Sequence, residues 1–151
     1  MIVGMVMKKK SILIILGPNL NLTGIKEKSI YGEETAESIK EQIVALGDEL
    51  GLSCEVFQSN WEGALIDKIH EGKDSYDGAI INAGALAHYS YALRDAISFS
   101  RMPFVETHMT NISSREDFRR HSVISDVCAG YISGFGKNSY FLALRAIKEL
   151  V

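Results

Sequence analysis

The sequence predicts an α/β fold, a five-stranded parallel sheet covered by helices on both faces, and three observations carry that prediction. Apolar runs alternate with segments of helical period from end to end. The run "SILIIL", Ser11 to Leu16, is the near-continuous apolar stretch expected of a parallel strand buried on both sides. The connections are short, and short β-α-β connections imply right-handed crossovers within one sheet. Five such units in 151 residues fit a single domain with a flavodoxin-like three-layer sandwich.

Each element has its own signal. The first strand runs into "GPNLN", where Gly17 and Pro18 stop it. The stretch "GIKEKSIYG", Gly24 to Gly32, reads as a lid-like loop. Thr35 can cap a helix whose apolar residues Ile39, Ile43, Leu46 and Leu50 recur at steps of four, three and four, with Gly47 and Gly51 blurring its end. "CEVFQS" is a second strand and "EGALIDKIHEG" a second helix with Leu65, Ile66 and Ile69 inward. "GAIIN" is a third strand, followed by the helix "YALRDAISFS" on Leu93, Ala96 and Ile97. "PFVETH" is a fourth strand, "SREDFRR" a short helical turn and "VCAGYISG" a fifth strand. The closing "NSYFLALRAIKEL" is a helix with Tyr140, Leu144 and Ile147 on one face and Asn138 or Ser139 as its cap.

Composition narrows the function classes. A net charge of -3, with no basic run beyond "KKK" at Lys8 to Lys10, argues against nucleic acid as a partner. Cys54 and Cys128 are far apart, each assigned to a strand, and form neither a CxxC pair nor a disulfide framework. They read as buried thiols in a reducing compartment. Residues 1–10, "MIVGMVMKKK", are an N-terminal extension that need not be ordered, ahead of a single catalytic domain at 11–151. The extension is apolar then basic, the reverse of a secretory signal, and too short to span a bilayer. The expected location is the cytoplasm, with no membrane partner.

In an open parallel sheet, ligands bind outside the carboxyl ends of the strands. Those ends carry Asn19 and Asn21, then Gln58, Ser59 and Asn60, then Asn82 with His88 beyond it, then Glu106 and His108. Arg115, Arg119, Arg120 and His121 follow the fourth strand. Each has a bland reading: Asn19 can be a turn residue, Asn82 can simply end a strand, and a single histidine at a strand end is more often structural. Glu106 and His108 alternate onto one face, so a metal has to be considered, but no third ligand stands at recognisable spacing and none is expected. "GFG" at Gly134 to Gly136 fits a tight strand-to-helix turn rather than a phosphate loop, because the full glycine pattern is missing. Neither GxSxG nor GxxxxGK[ST] occurs.

Taken together, "GPNLN", "IYG", "QSNWEG", "IINAGALAH", "SYALRDA", "ETHMTN", "REDFRRHS" and "ISGFG" resemble, in order and spacing, the type II 3-dehydroquinate dehydratases, from about Ile12 to the C-terminus. The resemblance implies elimination of water from 3-dehydroquinate to give 3-dehydroshikimate through an enolate, in the shikimate pathway. It implies a flavodoxin-like fold, no cofactor, and a homo-oligomer, a dodecamer built from trimers. It also implies site roles. Tyr31 would be the base, as a phenolate acidified by Lys26. His108 would be the general acid, oriented by Glu106, and Asn19 would hold a water against the enolate oxygen. The substrate carboxylate would rest on Met109 and Thr110, and the ring hydroxyls on Asn82, His88 and Arg119. Asp95 would reach a neighbouring subunit's site. A free tyrosine titrates near 10, so a phenolate base needs nearby positive charge, at about 1.4 kcal/mol for each unit of depression.

The chain departs from the family pattern at several positions. Lys26 stands where arginine is usual, replacing a planar fork of donors with a compact, strongly hydrated charge. Lys28 replaces a proline, Leu16 an asparagine, Ala83 a proline and Trp61 a histidine. Thr110 replaces a serine and keeps the hydroxyl. The lysine leaves an alternative reading, a catalytically impaired homologue that binds the substrate or related ligands in a regulatory role.

Overall fold

The computed structural model describes residues 8–25 and 34–151. Five strands form one parallel sheet: β1 (Lys10–Leu16), β2 (Leu52–Gln58), β3 (Gly78–Asn82), β4 (Phe104–His108) and β5 (Gly130–Ser133). Their order is β2-β1-β3-β4-β5, the flavodoxin-like order. Three helices connect successive strands, α1 (Ala36–Glu49), α2 (Glu62–Gly72) and α3 (Tyr91–Ser100), and a fourth, α4 (Asn138–Lys148), follows β5. Between β4 and β5 the chain makes 3-10 turns at Ile112–Ser114, Asp117–Arg119 and Ser125–Val127 instead of an α-helix. The first strand begins at Lys10, and residues 1–7 of the expected extension lie outside the described residues.

The continuous apolar strands explain the two-sided core. All five residues of β3 and all five of β4 are buried. On one face Ile12, Ile14, Ile80 and Val105 pack against Ile39 and Ile43 of α1 and Tyr140, Leu144 and Ile147 of α4. On the other, Leu13, Ile15 and Ile81 meet Leu65 and Ile69 of α2 and Leu93, Ala96 and Ile97 of α3. Fully burying one such aliphatic side chain is worth about 1.5–3 kcal/mol, so this double-sided packing, rather than helix propensity, holds the layers. The Thr35 hydroxyl accepts from the Ser38 N–H at 3.1 Å, capping α1 as expected. Gly51 ends that helix in the left-handed region at φ 78°, where a glycine has no Cβ penalty.

Two local expectations are corrected. Neither Asn138 nor Ser139 caps α4: the preceding residue is Lys137, and the Ser139 hydroxyl accepts from the Phe135 N–H at 3.0 Å. The turn through Gly134 and Gly136 enters the helix directly, which places Ser139 inside its buried first turn. Cys128 lies ahead of β5, not in it, because the last 3-10 turn occupies Ser125–Val127. Cys54 and Cys128 are both free and partly buried. Burial pushes the Cys54 thiol up to about 11 and the Cys128 thiol up to about 12.

Candidate active site

The chain reverses its direction of winding between β1 and β3, and a crevice opens at the carboxyl ends of neighbouring strands where this happens. The backbone is close-packed there. The Gly17 N–H donates to the Asn82 carbonyl at 2.8 Å, and a Cβ on Gly17 would stand 2.3 Å from the Ala83 carbonyl oxygen. Asn19 takes the left-handed conformation at φ 69°, and its N–H donates to Asn60 Oδ1 at 2.9 Å. Its own side chain makes no capping bond, which leaves it for another partner. Leu20, the next residue, lines a cleft together with Asn82, His88, His108, Met109, Thr110, Arg115 and Arg119.

The cleft is wired from beneath. Asn82 is buried; its Nδ2 donates to the Tyr140 hydroxyl at 2.8 Å and its Oδ1 accepts from the Gly84 N–H at 3.1 Å. His88 Nδ1 lies 2.9 Å from the His121 carbonyl, so Nδ1 carries the proton and Nε2 presents a lone pair. Burial holds His88 below the ordinary histidine value, favouring the neutral ring. The His88 and His108 rings stack at 6.2 Å with 18° between their planes. His108 is buried, and its Nε2 lies 3.4 Å from Glu106 Oε2. Glu106 is 0% exposed and accepts from Ser122 and Ser125. Burying a carboxyl group costs free energy unless hydrogen bonds replace its water, and the two hydroxyls supply such bonds here.

The segment after β4 turns two successive carbonyls to one side. The Gly134 N–H donates to the His108 carbonyl at 3.2 Å, and the Gly136 N–H donates to the Met109 carbonyl at 2.9 Å. In a strand, successive carbonyls point to opposite sides; here two in a row point toward the same turn. The peptide plane turns each following N–H the other way, so the Met109 and Thr110 N–H groups both face away from that turn. Adjacent N–H groups converging on one side form a concavity for an anion. Arg119 pairs with Glu116 and lies 4.8 Å from the Phe118 ring, which fixes its direction at the rim.

The model of the family described as dehydroquinase class II matches residues 10–148. The chain belongs to the class II dehydroquinase family. It is 51% identical to the 3-dehydroquinate dehydratase of Caldicellulosiruptor bescii over 143 residues, 94% of this chain and 99% of the relative. It is 48% identical to that of Bacillus cereus over 140 residues, 93% of this chain and 96% of the relative. The crystal structure of type II dehydroquinase from Butyrivibrio crossotus matches with a TM-score of 0.90 at 44% identity, covering 92% of this chain and 97% of that one.

In this class II dehydroquinase, the cleft gathers Asn82, His88, His108, Met109, Thr110 and Arg119 among the residues expected from the sequence. Glu106 does not line the cleft itself but lies 3.4 Å from His108, and Asn19, next to Leu20 in the chain, is not among the lining residues. Asp95 is exposed on α3 and does not line the cleft. Tyr31 and Lys26, with the rest of 26–33, lie outside the described residues. Among the described residues, no three His, Cys, Asp or Glu side chains converge as a metal site, and no helix is long and apolar enough to cross a membrane. Sequence reasoning left Arg115, Ser122, Ser125 and Tyr140 without site roles. Arg115 was visible on the rim, but Tyr140 reads as a core residue until its hydroxyl is seen to reach Asn82.

Proposed function

We infer that the chain is a hydro-lyase, a 3-dehydroquinate dehydratase that eliminates water from 3-dehydroquinate to give 3-dehydroshikimate, a step of the shikimate pathway. Membership of the class II dehydroquinase family across 10–148 carries this reading, joined by the His108–Glu106 pair at the floor of the cleft. Removing a proton α to a ketone makes an enolate, so the site needs a base, a partner for the oxyanion and an acid for the departing hydroxyl. Tyr31, acidified by Lys26, takes the proton. The enolate oxygen is met by a water held on Asn19. His108, with Glu106 3.4 Å behind it, gives a proton to the leaving hydroxyl, which departs as water while the enolate collapses to the conjugated enone. The N–H groups of Met109 and Thr110 and the Thr110 hydroxyl take the substrate carboxylate. Asn82, His88 and Arg119 take the ring hydroxyls, His88 through its Nε2 lone pair. General acid catalysis of this kind contributes about 10²–10⁴-fold.

The enzyme works without a cofactor in the cytoplasm, as a dodecamer of trimers in which Asp95 serves the adjacent subunit's site. The exposure of Asp95 on α3, away from its own cleft, supports that last role. The family relatives give no support to a purely binding homologue. Adding 3-dehydroquinate to the purified chain is expected to raise the ultraviolet absorbance of the enone carboxylate. A rise no greater than that of a Tyr31→Phe control rejects the reading, and a large gain in Lys26→Arg would restore the impaired-homologue alternative. A sizing measurement tests the assembly.

A further inference from the structure

We propose that Ser122 and Ser125 are positioning residues for the reaction, holding Glu106 in place and charged so that it can orient and stabilise protonated His108. The inference rests on the dehydratase reading of His108 but assigns roles that this reading does not need. The Ser122 hydroxyl donates to Glu106 Oε1, and the Ser125 hydroxyl lies 3.0 Å from Oε1 and 2.8 Å from Oε2. Oε2 is also the oxygen that faces His108 Nε2 at 3.4 Å. Among the described residues no lysine or arginine pairs with Glu106, and the only ion-pair partner in reach is His108. The neutral hydroxyls are therefore what replaces bulk water around this carboxylate.

The serines are themselves firmly placed. Between them Val123 and Ile124 are buried in the core, and the Val123 N–H donates to the Ala87 carbonyl at 2.7 Å. From α3, Arg94 donates to the Val123 carbonyl at 2.9 Å and pairs with Asp126. The same segment supplies the His121 carbonyl that orients His88. One short segment thus sets both histidines of the cleft. The bland reading is that the serines only make a buried carboxylate tolerable, with no bearing on its partner. The two readings differ in what happens to His108. Hydrogen bonds to the charged form favour it, so losing them favours a protonated, neutral Glu106, which no longer stabilises an imidazolium. Around the pair, the other ionisable groups among the described residues are His88 at the stacking distance above, Tyr131 of β5 with ring centroids 5.9 Å from His108, Cys128 beside Glu106, and Arg115 and Arg119 at the cleft.

The full-length Ser122→Ala/Ser125→Ala chain is assayed against 3-dehydroquinate across pH, and His108 is titrated by NMR on histidine-labelled protein, with His108→Asn for assignment. A loss of kcat of about 10- to 100-fold is expected, within what a general acid contributes. KM should stay within about threefold, because neither serine lines the cleft. The alkaline limb of the kcat profile and the His108 midpoint should both move to lower pH. The Ser122→Thr and Ser125→Thr variants, which keep a hydroxyl, should recover most of the loss. An unchanged His108 midpoint in the alanine variants overturns the proposal, whatever happens to kcat, as do threonine variants that fall as far as alanine ones. If the double variant does not fold, the single alanine variants decide by the same midpoint. A parent chain that does not turn over 3-dehydroquinate rejects the dehydratase reading instead, and the NMR midpoint still judges the serines.

Discussion

Glu55 and Glu106 are carboxylates on the same sheet, one on the edge strand β2 and one on β4 inside it. The Glu55 side chain is 54% exposed, with Lys68 Nζ at 3.2 Å and a hydrogen bond from the Tyr76 hydroxyl. That bond, aided by Lys68, holds its carboxyl below the usual carboxylate range. Lys68 also lies 5.3 Å from the Phe57 ring centroid and 6.0 Å from that of Tyr76, so the cluster covers apolar edge surface. Glu106 is fully buried and, among the described residues, has no lysine or arginine; it has hydroxyls and one histidine. An exposed carboxylate beside a cation is a routine way to finish an edge. A buried one met by neutral hydroxyls beside a histidine is costly to build, and such sites point to chemistry.

The contrast can be tested from its largest consequence downward. Glu106→Gln keeps the shape and removes the charge, so kcat should fall by about 10²-fold or more with KM little changed. A fall below threefold would put Glu106 in the same class as Glu55. Tyr140→Phe leaves the buried Asn82 amide without its acceptor, at a cost of about 1–3 kcal/mol in unfolding free energy by urea titration, with a several-fold rise in KM. The next effect is a pH slope. His88 is held below its ordinary value, so the unfolded chain binds the proton more readily than the folded one. Stability should therefore fall as pH drops through about 6.5 toward the lower folded value, and level off below it. His88→Gln should flatten that slope in thermal unfolding across pH. Least of all, Lys68→Ala should cost no more than about 1 kcal/mol, shrinking with salt, and leave kcat unchanged.

Much of the fold was legible because strand and helix periods are local. The runs "GAIIN", "EGALIDKIHEG" and "YALRDAISFS" coincide with β3, α2 and α3 residue for residue. The rim rule then placed Asn82, His88, His108 and Arg119 at one end of the sheet before any side chain was positioned. Local patterns were weaker where turns compete with helices. The cap of α4 and the position of Cys128 were misread because short 3-10 turns and a glycine turn have no periodicity to read.

By itself the sequence determined the layered α/β architecture, the buried strands, the family pattern and the residue types that the chemistry demands. These follow from local periodicity and from motifs whose order survives along the chain. The tertiary structure alone decided which groups support them. Ser122 reaches Glu106 across 16 residues, His121 reaches His88 across 33, and Tyr140 reaches Asn82 across 58. Such contacts leave no periodic trace, because they depend on how separate elements pack rather than on the propensity of any one of them. A tyrosine on the apolar face of α4 and two serines three residues apart read as filler in the chain. They acquire meaning only where the sheet brings a buried amide and a buried carboxylate up against them.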